Sequence, residues 1–258
     1  MNQWLTIFQK ENLEMRRNFK WLWFPISFVL LGVSEPLSVY YMPQLIDALG
    51  GMPEGTVIEI PTPTAPEILY QSISQYDTIG LLIIVLASMG IISAERKSGV
   101  AELILVKPVS YFAYISAKWA AALVLVWTSL FLGLIASWYY VMILFETVPM
   151  IDLLSTFAIY GLWLSFVLTL TIFFNALFKS PGVVGFTSMA TLIVLSIISG
   201  SLSQWLDWSP ALLSGYSSVV LVSGELPEGS IGAIILTISS IIILLLLSIV
   251  IFKKKELA

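Results

Sequence analysis

The chain has 258 residues, of which 58% are apolar and only 11% charged, with a net charge of −4 and a mean hydropathy of +0.95. A soluble domain is nearer half apolar and a quarter charged, and a single core of this size cannot hide such an excess. The surplus must face lipid, which excludes a soluble enzyme, a disordered chain and a disulfide scaffold. There is no Cys and no His. Thiolate and imidazole metal sites, cysteine nucleophiles, Ser-His triads and histidine proton relays are thereby removed.

In chain order, residues 1–19 read as a short amphipathic helix at the membrane surface. Trp4, Leu5, Phe8 and Met15 share a face, and Lys10, Arg16 and Arg17 suit headgroups. This charged, mixed stretch does not read as a cleavable signal. Six runs then have about the length a helix needs to cross ~30 Å of hydrocarbon. They lie at about 20–41, 76–93, 119–145, 153–178, 183–200 and 231–252. None alternates with period two over ~10 residues, so the expected fold is an all-α integral membrane protein and not a barrel. All of 1–258 forms one transmembrane domain. Glu35-Pro36 interrupts the first run.

The 12 Lys and Arg residues sort completely. They precede span one, lie between spans two and three and between four and five, and follow span six. The other three connections carry acids alone: Asp47, Glu54, Glu59 and Glu67; Glu146 and Asp152; Asp207, Glu225 and Glu228. By the positive-inside rule both termini are cytoplasmic.

The connections differ in character. In 42–75, Pro43, Pro53, Pro61, Pro63 and Pro66 with Gly50-Gly51 argue against a continuous helix, and Pro61–Pro66 reads as extended. In 94–118, Glu95, Arg96 and Lys97 precede a break at Ser98-Gly99. Val100, Leu103 and Ile104 then share a helical face that Pro108 ends. Residues 201–230, with Trp205, Trp208 and Tyr216, read as a shallow re-entrant hairpin at the outer surface.

No P-loop, nucleophile elbow, metal cluster or basic nucleic-acid face is visible, so the chain carries no catalytic, metal or cofactor residues of its own. Glu35 is the one acid well inside a predicted span. It sits roughly 22 Å along the helix from Lys20, where it can reach the outer headgroups or serve as a gate. Asp77 falls at the outer end of span two and reads as an interface residue.

The stretch from Glu95 to Lys118 resembles the loop of ABC type-2 permeases, the membrane subunits of bacterial ABC exporters. The residues that carry the resemblance are Glu95-Arg96-Lys97-Ser98-Gly99, Glu102-Leu103-Ile104-Leu105, Lys107-Pro108-Val109-Ser110 and Tyr114-Ile115-Ser116-Ala117-Lys118. The six-span layout is similar to that family as well. The resemblance implies that the short helix between spans two and three is a coupling helix, with Glu95, Arg96, Lys97, Gly99, Glu102, Lys107 and Pro108 in the coupling region. It implies a cytoplasmic P-loop ATPase subunit that holds the ATP and Mg, a second permease subunit, and a place in the bacterial plasma membrane. A different class fits the same features: a non-transporting scaffold or sensor that recruits a cytoplasmic partner through 94–118.

The topology is directly testable in this Cys-free chain. Thr56→Cys should react with an impermeant thiol reagent in intact cells, and Ser98→Cys only after lysis. The opposite pattern would invert the orientation.

Overall fold

The computed structural model describes residues 3–48, 63–100 and 109–256, and among these every regular element is helical. Six helices are long and apolar enough to cross a membrane. The protein is thus a multi-pass helical membrane protein, as the hydropathy requires.

The helices are α1 (Gln3–Arg17), α2 (Lys20–Ala48), α3 (Ala65–Gln75), α4 (Leu81–Ser88), α5 (Ser93–Lys97), α6 (Tyr111–Leu144), α7 (Met150–Leu177), α8 (Pro181–Ser201), α9 (Leu213–Ser223) and α10 (Ser230–Glu256). Span two is composite. It runs through α3, a π-helical turn at Tyr76–Gly80, α4 and α5, from Ala65 to Lys97.

Three predicted boundaries are corrected. Span one extends to Ala48, through both Glu35-Pro36 and Pro43. A proline forfeits one backbone donor and frees the carbonyl four residues back, which a neighbouring helix can then satisfy. At Pro36 that carbonyl is Gly32 O, and the Ser72 hydroxyl donates to it at 3.2 Å. Span two begins at Ala65, not 76, so part of the predicted 42–75 loop is helix. Pro66 opens that helix, where a missing N–H is harmless. The Glu67 carboxylate accepts from Thr64 N at 2.7 Å, half of a capping box. Span three begins at Tyr111, not 119, capped by the Ser110 hydroxyl, which accepts from Ala113 N at 3.1 Å. Residues 49–62 and 101–108 lie outside the described residues, with Pro53, Pro61, Glu102, Lys107, Pro108 and the predicted short helix.

At the centre stands α7, apolar on all sides and the most enclosed of the spans. Trp163, Leu164, Val167, Leu168 and Ile172 are buried along it. By contrast α2, α8 and α10 expose broad apolar faces, as lipid-facing helices do. The predicted hairpin region holds a turn at Pro210–Leu212 followed by α9. Helix α9 packs on α7, where the Thr156 hydroxyl donates to Ser217 O at 3.1 Å.

The α2–α6 crossing is close-packed. Gly32 and Gly133 face each other there, next to the buried Tyr76 ring. Tyr76 donates to Phe28 O at 3.0 Å and closes the stack Phe24–Phe28–Tyr76, with ring centres 5.2 Å apart at each step. Small residues at a crossing let backbones approach, the main source of helix affinity in lipid.

A methyl at Gly133 would lie 2.5 Å from Tyr76 Oη and 2.8 Å from the Phe28 carbonyl oxygen. Gly133→Ala should therefore destabilise the detergent-solubilised protein by about 1–3 kcal/mol. Gly182→Ala, with nothing within 4 Å, should be neutral. Thermal unfolding of the two variants side by side checks this.

Candidate functional site

At the end of the bundle that carries the bases, α1, α5 and α6 converge on a cluster of charges. Lys118 lies two turns into α6 and is only 2% exposed. Its ammonium donates to Glu11 Oε1 at 2.7 Å and lies 2.9 Å from Glu95 Oε1. It also rests 5.2 Å from the Tyr114 ring centre. Lys10 reaches the same acids, at 2.9 Å from Glu11 and 2.8 Å from Glu95, and reaches Glu14 at 3.2 Å. The Tyr114 hydroxyl donates to the other oxygen of Glu95.

The local reason is phase. Trp4, Phe8, Glu11 and Met15 recur every three or four residues, so Glu11 is carried into the face that packs on α6. Trp4 Nε1 donates to Ser116 Oγ at 3.0 Å and fixes that register. Leu5, expected on this face, points outward instead.

The electrostatics follow from mutual neutralisation. Partial burial works against the charge on Lys10, but the Glu95 and Glu11 carboxylates outweigh it and hold the ammonium above the ordinary lysine range. The oxygens of Glu11, Glu14 and Glu95 all lie within 4.8 Å of one another, close enough for a metal ion. Two ammonium groups already occupy that space.

Next to Glu95, Arg96 turns the opposite way. It is buried, donates from Nη1 to Ala176 O at 2.9 Å and lies 5.4 Å from the Phe252 ring centre. Asn175 of α7 clamps the turn between α4 and α5. Its Oδ1 accepts from Ile92 N at 3.2 Å and Ser93 N at 3.0 Å, while its Nδ2 donates to Ser88 O at 3.1 Å and Thr171 O at 2.9 Å. All four bonds are internal, so the amide is fully used. The short helix α5 is thereby tied to α1, α6, α7 and α10.

Beyond it, Lys97 is exposed and Gly99 adopts φ +78°, the left-handed conformation that ends a helix. The structure thus brings Glu95 and Arg96 together with Lys118, which closes the same sequence stretch, and with Lys10, Glu11 and Asn175, which lie outside it. Lys118 and Tyr114 are one helical turn apart, a spacing visible in the sequence. Glu11 and Asn175 come from remote helices and carry no comparable signal.

Glu35 stands apart from this cluster. It is partly exposed on α2, and its Oε1 accepts from Gln75 Nε2 at 2.6 Å. Asp77 sits in the π-turn, where helices often carry function. Tyr160 donates to its Oδ1 at 3.0 Å and Ser214 to its Oδ2. This carboxylate therefore ties span two to α7 and α9, rather than simply facing the interface.

No protein-family model matches the chain. The chain is 29% identical over 225 residues to the "Uncharacterized transmembrane protein YxlG" of Bacillus subtilis (strain 168), a match that covers 87% of each sequence.

Removing the Lys118 ammonium takes the buried cation away from Glu11 and Glu95 and leaves the half-exposed Lys10 alone to face both. Lys118→Met should destabilise the solubilised protein by about 3–5 kcal/mol, and adding Glu11→Gln should recover part of the loss. Thermal unfolding of the single and double variants measures both; an unaltered single variant would remove the cluster's structural role.

Proposed function

We propose that the chain is the membrane-spanning permease subunit of an ATP-driven exporter of the ABC type-2 class. On this reading it lies in the bacterial plasma membrane with both termini in the cytoplasm. Two such subunits, identical or different, form the substrate path, and two separate cytoplasmic ATPase subunits hold the ATP and Mg. The chain is not itself the enzyme.

The observation that carries the reading is the anchoring of α5. A lever needs a firm attachment at one end and a free surface at the other. Glu95 and Arg96 bind into the bundle, whereas Lys97 faces out and Gly99, at φ +78°, closes the helix. An ATPase pressing on 97–110 would move α5. The Glu95–Lys118 and Glu95–Lys10 pairs would carry that displacement to α6 and α1, and the Asn175 and Arg96 contacts would carry it to α7. Coupling of this kind requires two arrangements of the bundle that ATP state biases differently. The resemblance of 95–118 to the permease loop supports the same reading, as does the membrane character of the Bacillus subtilis relative.

Gly99→Pro tests it. Proline holds φ near −65° and cannot adopt +78°. The variant should insert normally but lose on the order of tenfold of copurifying P-loop ATPase, about 1.4 kcal/mol of binding. Full ATPase recovery would overturn the coupling assignment. Recovery of a kinase or structural protein instead would favour the scaffold reading.

A further inference from the structure

A cleft of about 390 Å³ opens beside the charged cluster, within the range of about 300–1,000 Å³ usual for small-molecule sites. Its back wall is apolar, built from Phe24, Ile84, Leu125, Val126 and Leu168. Its mouth is polar and holds Glu14, Asn18 and Lys20. Leu86 and Pro181 border it as well, and Leu86 belongs to the apolar exposed surface. The cleft therefore opens where an exposed apolar surface meets polar and charged side chains.

Lys20 distinguishes this cleft from an ordinary groove between helices. At the broken turn after α4, Ile91 N bonds Ser88 O and leaves the Ala87 carbonyl open. The Lys20 ammonium donates to that carbonyl at 2.8 Å. An ammonium has three donors; among the described residues this is its one hydrogen bond and it has no ion pair within 4 Å, although Glu14 and Glu11 are near enough to act on its charge. Two donors of a fixed cation thus remain for a ligand. Glu11, Glu95 and Lys118 are committed to one another and to Lys10. Among the described residues Glu14 has the exposed Lys10 contact at 3.2 Å as its one ion pair.

A second, independent feature marks the same place. Phe19, between Asn18 and Lys20, has φ +55°, the one non-glycine residue with positive φ among the described residues. A bulky residue in that conformation is strained, and such strain collects at ligand clamps.

We infer that this cleft binds the headgroup and first chain carbons of a phosphoethanolamine lipid. The phosphate would take the free donors of Lys20, the primary ammonium would meet Glu14, and the chains would lie on the Phe24–Leu125–Val126 wall. A purely anionic head would be repelled by the Glu14 carboxylate at the mouth. A quaternary ammonium would lack the N–H that a carboxylate accepts. The assignment stands apart from the transport reading, since it concerns a lipid held at the elbow of α1 and α2 and requires no partner subunit.

Native mass spectrometry of the full chain, delipidated and then offered defined lipids, tests it. Phosphatidylethanolamine should be retained about tenfold better than phosphatidylcholine or phosphatidylglycerol. Lys20→Gln should abolish the retention, Glu14→Gln should remove the preference over phosphatidylcholine, and Val126→Trp should block all three by filling the wall. Lys253→Gln, an exposed base outside the cleft, should change nothing. Soluble phosphoethanolamine should compete poorly, because it lacks the chains. Equal retention of the three lipids, retention unaffected by both Lys20→Gln and Val126→Trp, or competition by soluble phosphoethanolamine at the lipid's own concentration would each overturn the assignment.

Discussion

The structure depends on partnering a buried lysine. Lys118 sits inside the third span, where a lone ammonium would be costly to hold. Glu11 and Glu95 make it tolerable, and each comes from a different helix. One ion cluster thus does three things at once. It docks α1 on the bundle, fixes the phase of α6, and holds α5 at the point where span two leaves the membrane. Removing any member costs two others one of their partners and unbalances the charge in low dielectric, so the three helices are coupled.

The same logic recurs along the bundle with neutral groups. At several points where the backbone departs from regular helix, a side chain from another helix supplies the missing contact. Ser72 supplies the donor that Pro36 withholds. Asn175 and Lys20 satisfy the broken turn between α4 and α5. Tyr160 and Ser214 engage the carboxylate presented by the π-turn. In lipid no water is available to do this, so each irregularity becomes a tie between helices. The irregular points lie chiefly in span two, which therefore touches α1, α2, α6, α7 and α9 through polar groups. That makes it the natural path from one end of the molecule to the other.

Hydropathy made the six spans legible, because lipid demands long apolar runs and nothing else in the chain resembles them. The ends of those runs were less legible, for one physical reason. A sequence pass treats a charge or a proline as a stop, whereas the fold neutralises Lys118 with an acid 107 residues away and satisfies Pro36 from a neighbouring helix. The start of α3 was readable in principle, since Thr64-Ala65-Pro66-Glu67 has the Thr-x-x-Glu spacing of a capping box. The Ser98-Gly99 break was read correctly, and its left-handed glycine explains why. Of the segment singled out for coupling, Glu95 and Arg96 prove to face inward. Only their partners, on four other helices, show that the segment begins as an anchor.

The central claim is that α5 is held rigidly by its charged and polar ties while Lys97 and Ser98 at its end face outward. Amide hydrogen exchange of residues 93–97 in lipid nanodiscs tests it most directly. The account predicts exchange as slow as that of the α7 core around Val167, and a marked acceleration in Glu95→Gln with α7 unchanged. Exchange in the native protein as fast as at the exposed 253–255 terminus would contradict it.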